Sequence, residues 1–123
     1  MKILVLEDDP LVSQGIKRIL GLMGHVPLLV HKVAEAKRTI DADREVDVAI
    51  ADLGLEDGES GLDFLRWLMS TRPSVRPVLI TGLMQPLSFA HDPPRQAVLL
   101  KPFSLPSLET LFSSLFPEIK EAS

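Results

Sequence analysis

The chain contains no cysteine, so it can form neither a disulfide nor a cysteine-ligated metal site. Its first apolar run, residues 3–6, is far too short for a signal-peptide core or a membrane span. No run of lysine or arginine occurs, and the formal net charge is −4, whereas nucleic-acid binding typically requires a positively charged surface. These absences predict a cytoplasmic protein whose partners include neither a membrane nor nucleic acid.

What the chain does contain is the composition of an ordinary globular domain. Hydrophobic residues make up 46% and charged residues 24% of 123 residues, which is enough chain for one core without covalent staples. We therefore expect a single domain over residues 1–123. Pro117 follows the last amphipathic segment, so residues 117–123 are expected to form a tail.

Five short apolar runs alternate with segments of helical periodicity. Alternation of this kind predicts an α/β fold in which a parallel sheet is covered by helices on both faces. The prolines at 86, 93 and 94 leave little room for a helix between the fourth and fifth runs. The predicted strands are residues 3–6, 26–30, 46–52, 78–81 and 97–100.

Local signals mark where several helices begin and end. Asp9 followed by Pro10 is typical of an N-cap and first helical position, and Gly24 suits a left-handed C-terminal stop. Ser60 predicts the start of the third helix, and Ser104 that of the last. Pro27, near the start of the second run, indicates an edge strand.

Polar residues follow four of the five runs. Glu7 and Asp8 follow the first, Asp52 ends the third, Thr81 ends the fourth and Lys101 follows the fifth. The carboxyl ends of parallel strands share one edge of a sheet, so these residues are expected to converge there. Taken singly, each has an ordinary alternative: Asp52 as a turn or cap, Thr81 as a β-branched strand residue and Lys101 as a surface lysine.

Three carboxylates brought together repel one another unless a cation neutralises them or one is protonated. Oxygen ligands of this kind suit Mg²⁺ better than Zn²⁺. No histidine is expected near these strand ends to make a transition-metal site, and the three histidines, at 25, 31 and 91, are expected to be solvated in loop or strand-flanking positions. A lysine and a threonine hydroxyl beside the metal would complete a set of groups able to bind a phosphoryl group.

With these strand-end motifs in this order, the chain resembles a response-regulator receiver domain over essentially its whole length. The residues that carry the resemblance are 3–9, Asp52-Leu53 with Gly61-Leu62 downstream, 80–82 and 101–103. The resemblance implies a doubly wound, flavodoxin-like sheet of five parallel strands in the order 2-1-3-4-5. It also implies a signalling switch rather than an enzyme.

The resemblance assigns a role to each converging residue. Asp52 aligns with the phosphoacceptor, and Asp8 with a direct Mg²⁺ ligand. Glu7 would act on the metal through water, and Gly54 would offer its backbone carbonyl.

Thr81 and Lys101 would contact the phosphoryl group. The implied donor is a phosphohistidine on a sensor histidine kinase or a histidine phosphotransfer protein, and the output is expected through protein contact. The sequence leaves the oligomeric state open.

Three departures from the family pattern concern the readout, that is, how the phosphorylated state would be communicated to a partner. Glu56 stands where proline is usual, and Val98 stands where receivers carry the aromatic residue that rotates in the switch. Helix 4 is expected to be short or missing, as in a subgroup of stand-alone receivers, which would transfer the readout to residues 83–95. Two other functions remain open: a receiver-like binding module that is never phosphorylated, and a Mg²⁺-dependent phosphatase with an aspartate nucleophile.

Overall fold

The sheet of this protein has five parallel strands in the order β2-β1-β3-β4-β5, as a computed structural model shows. The structure describes residues 1–53, 60–81, 97–100 and 106–110, with the backbone alone at 81 and 97–100. The expected α/β fold and strand order are therefore confirmed. The segment in which helix 4 was expected to be short or missing, residues 83–95, and the tail 117–123 lie outside the described residues.

Strands and helices alternate along the described chain. The strands are β1 (Lys2–Leu6), β2 (Val26–Val30), β3 (Val46–Asp52), β4 (Arg76–Thr81) and β5 (Ala97–Leu100). The helices are α1 (Pro10–Leu22), α2 (Val33–Ala42) and α3 (Gly61–Thr71). Residues 106–110 form a further helical stretch.

Helices cover both faces of the sheet. Successive residues of a strand point to opposite faces, and the core is divided accordingly. Leu4 and Leu79 pack with α2 and α3, whereas Val5 packs with α1. Leu108, in the stretch 106–110, is buried on the same face as α1. The fold is thus doubly wound, and it leaves the carboxyl edge of the sheet for the loops that follow the strands.

The predicted helix signals at Asp9, Gly24 and Ser60 agree with the structure, whereas Ser104 lies outside the described residues. Asp9 caps α1 by accepting a hydrogen bond from the Leu11 N–H at 2.9 Å, and Pro10 opens the helix. Gly24, with φ of 84°, adopts the left-handed conformation that suits a glycine after a helix. Ser60 caps α3 through the Asp63 N–H at 3.3 Å.

Two prolines lie within strands, and both are accommodated. Pro27 lies in β2, which is an edge strand as predicted. β4 begins at Arg76 rather than at residue 78, so it includes Pro77. Pairing with β5 begins only at Val78, and β4 is therefore an edge strand on that side at Pro77.

None of the helices within the described ranges has both the length and the apolar character that crossing a membrane requires.

Candidate functional site

Three acidic side chains meet at the carboxyl edge of the sheet. Carboxylate oxygens of Glu7, Asp8 and Asp52 all lie within 4.8 Å of one another. Glu7 is 1% exposed and Asp52 is 6% exposed, while Asp8 is half-buried. The cluster is therefore largely buried, and Asp8 is its most accessible member.

The pairing register explains why Glu7 and Asp52, 45 positions apart in sequence, become neighbours. β1 and β3 are adjacent and parallel, with Leu6 opposite Ala51. The next residue of each strand path, Glu7 and Asp52, therefore lies at the same level of the sheet. Asp8 follows directly, before its neighbour Asp9 caps α1.

Backbone hydrogen bonds hold these strand ends after regular pairing stops. The Glu7 N–H donates to the Val30 carbonyl oxygen at 3.1 Å, and the Leu53 N–H donates to the Ile80 carbonyl oxygen at 3.0 Å. Glu7 is thus attached to β2, and the residue after Asp52 is attached to β4. The acidic side chains extend from a fixed backbone, as a site that must bind in one geometry requires.

Gly61, the first residue of α3, packs directly against Asp52. A Cβ atom at position 61 would overlap the Asp52 carbonyl oxygen and would lie 2.7 Å from its carbonyl carbon. No side chain fits there without a shift of the Asp52 backbone. The helix therefore begins with glycine because its first turn supports the end of β3.

The remaining predicted site residues are only partly within the described chain. Thr81 is the last residue of β4, one position beyond Ile80, which pairs with Asp52. Its backbone is therefore at the same edge as the acidic cluster. Lys101 comes directly after Leu100, the last residue of β5, but it lies outside the described residues, as does Gly54.

One residue at this edge was not expected there. No histidine was expected near these strand ends to make a transition-metal site, and none joins the grouped ligands among the described residues, but the ring Nδ1 of His31 is 3.0 Å from the Glu7 carbonyl oxygen. His31 directly follows β2, which is the neighbour of β1. The convergence argument applied to the end of β2 as well would have found it, although its ring is exposed, as expected.

The other histidines do not approach the acidic cluster within the described residues. The His25 ring is half-buried at the amino edge of the sheet, where Nδ1 lies 3.1 Å from the terminal amine of Met1. The expectation that His25 is solvated is thus wrong in part, and burial lowers the pKa of His25. His91 lies outside the described residues.

The charge of the cluster favours a cation. When both are ionised, two carboxylates 4.8 Å apart repel by about 3 kcal/mol at an effective dielectric constant of about 20. Three such groups in one pocket are costly without a counter-charge. All three offer oxygen, the ligand atom preferred by hard divalent cations, and no cysteine or imidazole is among the grouped ligands in the described chain.

Comparison with known proteins gives the same class. Residues 3–113 match the response regulator receiver domain family. The chain is 33% identical over 117 residues to the two-component response regulator PhoP of Pseudomonas aeruginosa, covering 94% of this chain and 51% of that protein. It is 26% identical over 113 residues to the phyllosphere-induced regulator PhyR of Methylorubrum extorquens, covering 91% of this chain and 42% of that protein.

Among solved structures, the fold is similar to that of the response regulator TrrA from Thermotoga maritima, which was solved in complex with Mg²⁺ and BeF. The TM-score is 0.77 at 21% sequence identity, with 93% of this chain and 97% of that one covered. This likeness concerns the fold.

The doubly wound parallel sheet and the acidic cluster at its carboxyl edge agree with the match to the receiver domain family. The chain belongs to the response regulator receiver domain family of two-component signalling. Receiver domains are generally signalling switches rather than enzymes. The chain spans about half the length, or less, of the curated relatives given above.

Proposed function

We propose that this protein is a phosphorylation-dependent switch in which Asp52 accepts a phosphoryl group from a phosphohistidine, with Mg²⁺ required. The observation that carries the proposal is the convergence of Glu7, Asp8 and Asp52 within 4.8 Å at the carboxyl edge of the sheet. Family membership supports it, because receiver domains act in two-component signalling.

The donor set fits a magnesium ion. Mg²⁺ prefers few carboxylates and fills its remaining positions with water and phosphate oxygens. We assign Asp8 and Asp52 as direct ligands, Glu7 as a ligand through water and Gly54 as a backbone carbonyl ligand. Bound there, the ion would neutralise charge on the carboxylates and on the incoming phosphoryl group.

Asp52 is suited to act as the nucleophile. Its carboxylate is buried at the end of a central strand, so few orientations are open to it. In the proposed transfer an Asp52 oxygen forms a bond to phosphorus while the phosphorus–nitrogen bond of the donor breaks. The electron pair of that bond leaves with the imidazole of the donor, which takes up a proton.

Thr81 and Lys101 are proposed to hold the phosphoryl oxygens. Thr81 follows Ile80 at the end of β4, and Lys101 follows Leu100 at the end of β5. A hydroxyl donor and an ammonium group at neighbouring strand ends would stabilise the charge that develops during transfer.

The partners follow from this chemistry. We propose a sensor histidine kinase or a histidine phosphotransfer protein as the donor, in the cytoplasm, and output through protein contact. Residues 1–123 would form one receiver domain, with 117–123 as its tail.

Incubation with acetyl phosphate and Mg²⁺, followed by intact-mass measurement, tests the proposal. We expect one phosphoryl adduct on the wild-type protein and none on Asp52→Ala. Turnover of acetyl phosphate without an adduct would instead support the phosphatase. Absence of any reaction, in a protein that still unfolds cooperatively, would support an unphosphorylated binding module.

A further inference from the structure

The His31 ring contacts the backbone of the acidic cluster. Its Nδ1 atom lies 3.0 Å from the Glu7 carbonyl oxygen, which is hydrogen-bonding distance. A carbonyl oxygen can only accept a hydrogen bond, so the ring must carry a proton on Nδ1 to make this one. His31 is therefore a side-chain donor to the peptide that joins Glu7 to Asp8.

That peptide bond determines where the acidic pair points. The Glu7 N–H already donates to the Val30 carbonyl oxygen at 3.1 Å. The His31 bond adds a second tie, on the carbonyl side of the same residue. Downstream, the Asp9 side chain accepts from the Leu11 N–H, so the backbone around Asp8 is held on both sides.

His31 is itself fixed by the start of α2. Its backbone N–H donates to Glu35 Oε1 at 3.0 Å, and Glu35 lies in the first turn of α2. The N-cap residue Lys32 makes no side-chain capping bond, so the Glu35 carboxylate holds this end of the helix to the residue before it. A continuous path of hydrogen bonds runs from α2 through His31 to Glu7.

We infer that His31 is a positioning residue for the metal-binding acidic pair. By donating to the Glu7 carbonyl oxygen it orients the Glu7–Asp8 peptide, and with it the carboxylate of Asp8. Groups that orient metal ligands without touching the metal raise metal affinity, because the ligands then need no reorganisation on binding. The inference rests on the proposed function, since it takes this cluster to be the Mg²⁺ site.

The test is Mg²⁺ affinity, measured by titration calorimetry on His31 variants of the full chain. We expect His31→Ala to weaken Mg²⁺ binding by about 3- to 10-fold, the loss that one hydrogen bond typically gives. His31→Asn should restore most of the affinity, because an asparagine amide N–H can replace the Nδ1 donor. His25→Ala removes the same ring from the amino edge of the sheet and should leave Mg²⁺ affinity unchanged.

The outcomes separate this inference from the proposed function. If the wild-type protein binds Mg²⁺ and His31→Ala binds it equally well, the positioning role is overturned while the proposed function stands. Equal weakening in His31→Ala and His31→Asn would also overturn it, because the donor would then not matter. If the wild-type protein binds no Mg²⁺, the proposed function fails and this inference fails with it.

A second measurement does not depend on the metal at all. Nitrogen chemical shifts of the neutral His31 ring distinguish the Nδ1–H from the Nε2–H tautomer, and the hydrogen bond requires Nδ1–H. We expect the Nδ1–H tautomer to predominate in the metal-free protein. A predominant Nε2–H tautomer would contradict the inference.

Discussion

At the scale of single residues, Gly61 shows how closely α3 and the candidate phosphoacceptor are packed. A Cβ atom there would overlap the Asp52 carbonyl oxygen, whereas one at Gly15, in α1, would meet no described atom within 4 Å. The two glycines therefore differ in whether the structure requires the absence of a side chain. Gly61 allows a close approach of two backbones, and Gly15 merely lacks a side chain.

We predict that Gly61→Ala lowers the free energy of unfolding by about 1–3 kcal/mol, the usual cost of overpacking a filled site. It should also weaken Mg²⁺ binding, because the end of β3 must move. Gly15→Ala is the matched control and should raise stability by roughly 0.5–1 kcal/mol, since alanine is the better helix former. Urea unfolding of the three proteins gives both values, and an unchanged stability for Gly61→Ala would contradict the packing argument.

Single residues also show where sequence reasoning succeeded and where it missed a contact. Asp9, Pro10 and Ser60 were assigned correctly because capping depends only on adjacent residues. The position of His31 directly after β2 places it at the same sheet edge, but its hydrogen bond was missed because the partner is a backbone carbonyl 24 positions away. Every residue has a backbone carbonyl, so a hydrogen bond to one places no requirement on the residue type of the partner.

At the scale of elements, Arg72, the residue that follows α3, links that helix to α2 and to the loop before β3. Its Nη1 atom donates to the Ile40 carbonyl oxygen at 2.7 Å, and Nη2 donates to the Arg44 carbonyl oxygen at 3.2 Å. Ile40 lies in the last turn of α2, where carbonyl oxygens lack helical partners. The guanidinium group thus completes the end of α2 and binds the loop that leads into β3.

We predict that Arg72→Ala lowers the free energy of unfolding by about 1–2 kcal/mol, since hydrogen bonds from a charged group are stronger than neutral ones. Arg72→Lys should recover less than half of the loss, because one ammonium cannot reproduce the planar pair of donors. Arg66→Ala is the control: Arg66 is exposed, and its ion pair among the described residues is a long one to Asp63 at 3.9 Å. Its removal should change stability by less than about 0.5 kcal/mol in thermal or urea unfolding.

The element boundaries show the limits of local patterns. β2 and β5 have the predicted bounds, residues 26–30 and 97–100, because apolar runs flanked by polar or breaking residues define them. β4 begins two residues before the predicted start because Pro77 is tolerated where β5 has not yet begun to pair. That tolerance depends on the register between two strands, which no single segment encodes.

At the scale of the whole molecule, the sheet brings Glu7, Asp8 and Asp52 together at one edge, where like charges repel one another. The alternation of strands and helices predicts that convergence, since parallel strand ends share an edge. The distance of 4.8 Å and the depth of burial could not be predicted, because they depend on the register of β1 against β3.

We predict that Asp8→Asn stabilises the metal-free protein by about 1 kcal/mol, because one of three repelling charges is removed and solvent screens the repulsion at the half-buried Asp8 side chain. With Mg²⁺ at about 100 times its dissociation constant, the wild-type protein should gain about 2.7 kcal/mol and the variant much less. The order of stability would then reverse. Asp41→Asn makes the same charge change at an exposed position of α2 and should keep the wild-type response to Mg²⁺.

Differential scanning calorimetry with and without Mg²⁺ measures this reversal. A wild-type protein whose melting temperature does not respond to Mg²⁺, or an Asp8→Asn variant that responds equally, would contradict the assignment of the cluster as the metal site.

The measurement that tests the central claim most directly locates the phosphoryl group itself. After reaction with a phosphohistidine donor and Mg²⁺, borohydride reduction converts an aspartyl phosphate to homoserine, which peptide mass spectrometry identifies by position. We predict homoserine at position 52 and unmodified aspartate at position 8. Homoserine at another position, or an unreduced Asp52 in a protein that carries phosphate, would contradict the account.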